Sequence, residues 1–314
     1  MARAVLIQKF GGFEVLEIVD TPTPRANAGE LVIKVKAAGV NPVDSKVREG
    51  KRSNGPLDSA IGLGSDAAGV VIEVGDGVQG FAVGDEVIAF RVKGAYASHV
   101  SGAAGLFTPK PSNMSFEQGA AMGVPVSTAY QLLRSLELRA GQTLLVHAGS
   151  GGVGQAAIQF ARLWGATVVA TASPANHERL RELGAIPVAY GDGLLDRVRA
   201  AAPQGVDVVL DAAGTQEAID ASLALVEDPQ RVGEIVVADW AEQYGVKYFS
   251  SSRPGFLGPV EQRLRMEAIP IAAELVAAGT FQLEIAASYP LDRVADAMRH
   301  SDAGHVRGKI VLIP

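Results

Sequence analysis

The chain has 314 residues, 48% hydrophobic and 20% charged, a balance that supports packed globular cores and excludes a largely disordered chain. Its 28 basic and 34 acidic residues leave a net charge of −6, which argues against general binding to nucleic acid or anionic membranes. It has no cysteine, which excludes disulfides, thiolate-bound zinc, iron–sulfur clusters and a cysteine nucleophile. The length predicts two domains of roughly 100–200 residues each. No apolar run approaches the roughly 18 residues of a membrane span and no signal-peptide core is visible, so a cytoplasmic protein without membrane contact is expected.

The first third reads as short strands. Residues 4–8, 31–37, 67–74 and 85–90 are apolar runs rich in Val and Ile, bounded by Gly, Asp and Pro, and predict a mostly-β domain over 1–124. From Glu117 the period changes. Ser115 reads as the N-cap of a helix through Ala121, and 126–138 has helical spacing. Residues 143–147 form an apolar run of the kind found in strands buried on both faces. A helix over 156–164, a strand over 167–171, a helix over 176–183 and a strand over 186–190 follow, with apolar runs at 206–210 and 234–238. Strand alternating with helix predicts an α/β fold, a doubly wound parallel sheet over 125–255. Residues 264–278 and 291–299 read as helices and 309–313 as a last strand; one reading has the tail, 256–314, complete the first domain.

Gly149, Ser150, Gly151, Gly152, Val153 and Gly154 match G-x-G-x-x-G between the 143–147 strand and the following helix. In that setting glycines admit a pyrophosphate to the backbone, and the helix N-terminus supplies free N–H groups. An NAD-preferring site places Asp or Glu at the end of the next strand. This one closes on Ser173 and Pro174, followed by Asn176, His177 and Arg179, donors suited to a 2′-phosphate; NADPH is the expected cofactor.

Several segments carry a resemblance. Ala38-Gly-Val-Asn-Pro-Val-Asp44, Gly64-Ser-Asp-Ala-Ala-Gly-Val-Val71, Val83-Gly-Asp-Glu-Val87, Pro125-Val-Ser-Thr-Ala-Tyr130, the glycine loop and Gly304-His-Val-Arg-Gly-Lys-Ile-Val311 run in order along almost the whole chain. Together they resemble the zinc-free quinone oxidoreductase (zeta-crystallin-like) branch of the medium-chain dehydrogenase/reductase superfamily. The resemblance implies a GroES-like substrate domain built from both termini, a Rossmann domain, an active site in the cleft between them, and a homodimer paired through the Rossmann sheet edge. Zinc alcohol dehydrogenases of the superfamily carry Cys at the place of Asn41 and a His-Glu pair at Ser65-Asp66, so no metal is expected. The five histidines show no metal-ligand spacing and read as surface or helix-end residues.

Without a ligand set for a Lewis acid, hydride addition to a quinone or an α,β-unsaturated carbonyl is the expected chemistry, because such acceptors delocalise the incoming charge. By resemblance, Asn41 sits near the nicotinamide and hydrogen-bonds the substrate carbonyl, Thr128 lies by the nicotinamide ribose, Tyr190 ends the third Rossmann strand against the 2′-phosphate, and Lys309 lies near the cofactor. The turn containing Ala213 and the strand ends at Ala238 and Ser250 are expected to face the nicotinamide side. Two departures stand out: Lys46 replaces a cofactor-touching tyrosine of some relatives, and residues 226–232 replace a glycine-rich turn. Tyr96 is a candidate acid only by its place in the first domain; a core role fits it better, and the proton is expected to come from solvent. The alternatives are an enoyl-thioester reductase and a largely non-catalytic, crystallin-like NADPH-binding protein.

Overall fold

The computed structural model describes residues 1–249 and 257–314. In chain order the elements are β1 Ala2–Ile7, β2 Glu17–Thr21, β3 Glu30–Val40, α1 Pro42–Arg48, β4 Ile61–Gly62, β5 Asp66–Val74, β6 Glu86–Phe90, β7 His99–Ala103, β8 Phe107–Pro109 and α2 Phe116–Ser135. Then come β9 Thr143–His147, α3 Gly152–Leu163, β10 Thr167–Thr171, α4 His177–Glu182, β11 Ile186–Val188, α5 Leu194–Ala201, β12 Val208–Asp211, α6 Gln216–Leu225, β13 Val232–Glu234, α7 Trp240–Tyr244 and β14 Lys247–Tyr248. The chain closes with α8 Pro259–Ala277, β15 Ile285–Pro290, α9 Val294–Asp302 and β16 Lys309–Ile313. It divides into two units, Met1–Val124 with Ile269–Pro314, and Pro125–Ala268, so that both boundaries fall inside long helices.

The first unit is mostly β. Its larger sheet runs β15-β16-β3-β5-β6-β8, with β7 also pairing with β3, and a small sheet runs β2-β1-β4. The last strand lies antiparallel to β3 with Ile310 opposite Val40 and Leu312 opposite Ala38. Alternate residues of these strands point into one core with Val5, Leu31, Ile33, Ala67, Val71, Val87, Met298, Ile310 and Leu312. The same register sets Lys309 beside Asn41, just past the end of β3.

The second unit is a six-stranded parallel sheet of order β11-β10-β9-β12-β13-β14. Its inner strands are apolar between their polar end residues and buried on both faces, as a sheet sandwiched by helices requires. The winding reverses between β9 and β12. A doubly wound sheet offers its ligand crevice outside the carboxyl ends of the strands at that reversal.

Several local expectations are corrected. Helix α2 is continuous where two helices were expected around Pro125. Ser115 does cap it: Ser115 Oγ accepts from Gln118 N at 3.2 Å and Gln118 Oε1 accepts from Ser115 N at 2.9 Å. A proline costs one internal hydrogen bond, and a helix apolar on both sides of it retains enough burial to continue. The helix after the glycine loop starts at Gly152 and takes in Gly154, earlier than expected. The third Rossmann strand stops at Val188, and the strand expected over 234–238 is β13, ending at Glu234. Val236 and Val237 continue the apolar run in sequence, but their N–H groups turn back onto Glu234 Oε1, which ends the strand.

Candidate functional site

In the first unit five polar side chains meet inside the β core. Asn41 follows β3 as the N-cap of α1, and Asp44 in that helix's first turn accepts from Asn41 N at 2.9 Å. Asp44 also accepts from the Tyr96 hydroxyl at 2.6 Å. The Asn41 amide is held at both ends: Nδ2 donates to Asp66 Oδ2 at 2.9 Å and to the Gly39 carbonyl at 3.4 Å, while Oδ1 accepts from Lys309 Nζ at 2.7 Å. Lys309 Nζ also donates to the Val40 carbonyl. Asp66 is satisfied further by Val124 N at 2.8 Å and Ser65 Oγ at 3.1 Å. Gly123 allows that approach, since a Cβ there would overlap the Asp66 carboxylate. Asn41 is only 1% exposed and Lys309 only 6%.

Burial governs the charges of this cluster. It raises the Asp44 carboxyl to about 6 against the hydrogen bonds from Tyr96 and Asn41, and raises Asp66 against the Lys309 charge. It lowers the Lys309 ammonium to about 8 against the pull of Asp66 and Asp44. The Tyr96 hydroxyl is pushed well above its usual range by burial and by Asp44, so it stays a neutral donor in the core.

In the second unit the chain leaves β9 through Ala148, at φ 58°, and enters α3 through the glycine loop. A Cβ at Gly149 would sit 2.8 Å from Ala170 Cβ, and one at Gly154 would overlap the Ala148 carbonyl oxygen. Both glycines are demanded by packing. Gly151 differs: an added Cβ would meet only the Ala148 oxygen, at 3.5 Å. The backbone there is bare on its outer side and stands as N-cap of a twelve-residue helix with no side-chain cap, an arrangement fit for a pyrophosphate.

At the end of β10, Ser173 precedes a short 3₁₀ turn that begins with Pro174. Asn176 Nδ2 donates to Ser173 Oγ at 3.2 Å, and His177 Nε2 lies 3.2 Å from the Ala172 carbonyl. Arg179 reaches α3, its Nε 3.4 Å from Gln155 Oε1 and its guanidinium paired with Glu182 at 3.1 Å. The first carboxylate of this helix, Glu178, is exposed and paired with Arg181 at 3.3 Å. Tyr190 lies two residues beyond β11 and is 51% exposed. Thr128 is buried in α2. Ala213 N donates to Asp211 Oδ1 at 2.8 Å, in the turn after β12. Ala238 lies past β13, its carbonyl accepting from Ala241 N at 3.2 Å. Ser250 falls outside the described residues. Asn41 and Lys309 are thus in mutual contact in the first unit; the other described site candidates belong to the second.

Neither the Asp44–Asp66–Tyr96 part of the first cluster nor a row across the second sheet was anticipated. Thr171, His147, Asp211 and Glu234 close β10, β9, β12 and β13, and the registers place the last three side by side. All four are buried, which corrects the expectation that His147 is a surface or helix-end residue. His147 Nδ1 lies 3.3 Å from Thr171 Oγ1, and burial lowers its pKa. Asp211 Oδ1 holds the N–H groups of Ala213 and Gly214; Glu234 Oε1 holds those of Val236 and Val237. Burial, then the neighbouring Asp211 charge, pushes the Glu234 carboxyl up to about 8. The signal was present in the sequence: each apolar run ends in one polar residue.

Among the described residues no group of three or more His, Asp or Glu side chains is placed to hold a metal, and no helix is long and apolar enough to cross a membrane. Residues 27–124 match the alcohol dehydrogenase GroES-like domain family, and residues 183–312 match the zinc-binding dehydrogenase family. Rat quinone oxidoreductase is 34% identical, over 99% of this chain and 96% of its own length. The Escherichia coli quinone oxidoreductase solved with NADPH is 28% identical, with a TM-score of 0.83 and full coverage of both chains. The CurK enoyl reductase is 27% identical, with a TM-score of 0.81 and 99% coverage of both chains. A whole-length match to quinone oxidoreductases, with Asn41, Ser65 and Asp66 where the superfamily's zinc enzymes carry ligands, leads to one assignment: the chain belongs to the zinc-free quinone oxidoreductase branch of the medium-chain dehydrogenase/reductase superfamily.

Proposed function

We propose that the protein is an NADPH-dependent reductase of quinones or α,β-unsaturated carbonyls, acting in the cytoplasm as a homodimer. The observation that carries this reading is the bare backbone at Gly151 at the N-terminus of α3, beside a β10 end furnished with Ser173, Asn176 and His177 and without a carboxylate. The NADPH complex of the E. coli relative supports the cofactor.

The bound cofactor supplies the hydride. Gly149, Ser150, Gly151, Gly152 and Val153 would hold the pyrophosphate through backbone N–H groups and the helix dipole. Ser173, Asn176 and Tyr190 would hold the 2′-phosphate, while Ala213, Ala238 and Thr128 would border the nicotinamide half. Asn41 would donate from Nδ2 to the acceptor oxygen, stabilising the negative charge that hydride addition leaves there. Tyr96 is locked on Asp44 and stays a neutral core donor, so the proton that completes the reduction would come from solvent.

The test is oxidation of NADPH and of NADH with 9,10-phenanthrenequinone, 1,4-benzoquinone, a 2-alkenal and an enoyl thioester. Turnover of the quinones or the alkenal with NADPH preferred supports the proposal. Turnover of the thioester alone identifies an enoyl reductase, the activity for which the CurK relative is named. Tight NADPH binding with no turnover on any acceptor identifies a binding protein.

A further inference from the structure

We propose that Lys309 and Asp66 are positioning residues that fix the amide orientation of Asn41, rather than Lys309 being a cofactor ligand. The inference rests on the reading of Asn41 as the donor to the acceptor oxygen. A carboxamide has two ends of similar shape and opposite hydrogen-bonding sense, and only its partners decide which end is which. Here the partners leave one solution. An ammonium only donates, so the atom 2.7 Å from Lys309 Nζ is the carbonyl oxygen. Asp66 Oδ2 already accepts from Val124 N and Oδ1 from Ser65 Oγ, so the carboxyl serves as acceptor here and the atom 2.9 Å from Oδ2 is the amide nitrogen. Turning the amide over would set N–H against an ammonium and an oxygen against a carboxylate, both inside a core that excludes water.

The fixed orientation has a chemical product. One Nδ2 hydrogen is spent on Asp66, and the second has, among the described residues, only the Gly39 carbonyl at 3.4 Å, a long and weak bond. That second hydrogen is the one to be exchanged for a substrate oxygen. Lys309 is itself held by the Val40 carbonyl and by the pairing of its strand with β3, so the amide is clamped from a rigid element.

Two substitutions separate donation from packing. Lys309→Met keeps the aliphatic stem and removes the donor; Lys309→Arg keeps a donor-only cation. With NADPH and 9,10-phenanthrenequinone, Lys309→Met should lower kcat about tenfold while the NADPH dissociation constant, read by cofactor fluorescence, changes less than about twofold. Lys309→Arg should retain most of kcat. In a cycle with Asn41→Ala, the double variant should be no slower than Asn41→Ala alone, because Lys309 acts only through that amide. Multiplying losses, or an unchanged kcat in Lys309→Met, would overturn the inference. A tenfold rise in the NADPH dissociation constant at constant kcat would overturn it in favour of direct cofactor contact. Full activity in Asn41→Ala would overturn the underlying reading of Asn41 as well. Should Lys309→Met not fold, Lys309→Gln carries the test, since its amide has no fixed polarity and the same loss of kcat is expected.

Discussion

Ala148 holds φ at 58°, a conformation that a side chain with a Cβ rarely adopts, and it does so between the last residue of β9 and the first glycine of the loop. Its N–H reaches Thr171 Oγ1 at 3.3 Å and its carbonyl accepts from Gly151 N at 3.1 Å, so the strand-to-loop corner depends on that backbone. Ala148→Val should therefore lower stability by about 1–2 kcal/mol, since a β-branched side chain worsens the left-handed strain, whereas Ala148→Gly should stay within about 1 kcal/mol of the parent. Urea unfolding midpoints check both. A second residue-scale prediction concerns Glu234. Its carboxyl is raised in the folded chain from 4.5 to about 8, so its contribution to stability is fully present below pH 4.5 and is lost as pH rises to about 8. Glu234→Gln, which stays neutral, should gain on the parent across that window, by on the order of 1–3 kcal/mol at pH 8 and little at pH 5. Denaturation at the two pH values measures it, and equal differences at both would count against the buried pair.

Among elements, the turn from β9 to α3 separates two uses of glycine. Gly154 is hemmed in by the Ala148 carbonyl and Gly149 by Ala170, while Gly151 has room. Gly154→Ala should destabilise the fold itself, whereas Gly151→Ala should fold with a near-parental melting temperature and bind NADPH at least about tenfold more weakly, a loss of roughly 1.4 kcal/mol. Calorimetric melting beside a binding titration distinguishes them; intact binding in Gly151→Ala would remove the pyrophosphate from this loop. The elements also show what could be read beforehand. Residues 143–147, 167–171 and 309–313 form strands as expected because each is an unbroken apolar run closed by a polar or turn residue. The expectation failed where a local signal lost to its surroundings: Pro125 within a helix buried on both sides of it, and Val236 and Val237, whose backbone a buried carboxylate bends out of the sheet.

For the whole molecule, the α/β class, the parallel sheet and the mostly-β unit followed from where the hydrophobic period changes along the chain. The glycine loop was legible too, since its residues are neighbours in sequence. The surroundings of Asn41 were not. Lys309 is separated from it by 268 positions, Tyr96 from Asp44 by 52 and Asp66 from Asn41 by 25, and no periodicity encodes a partner so far away. What brings them together is strand register, above all Ile310 opposite Val40.

That register has a consequence for how the protein is made. The ribosome delivers residues 125–268 as one uninterrupted stretch, and a unit so contiguous can fold while the rest is still being translated. The first unit has to wait. Its β3 edge is covered by β7 over residues 30–34, but residues 38–40 stay open until β16 emerges, and until then Asp44 and Asp66 face each other without the lysine's charge. The growing chain thus carries a short unpaired stretch of strand edge through most of its synthesis, and a nascent polypeptide in that condition is what chaperones recognise.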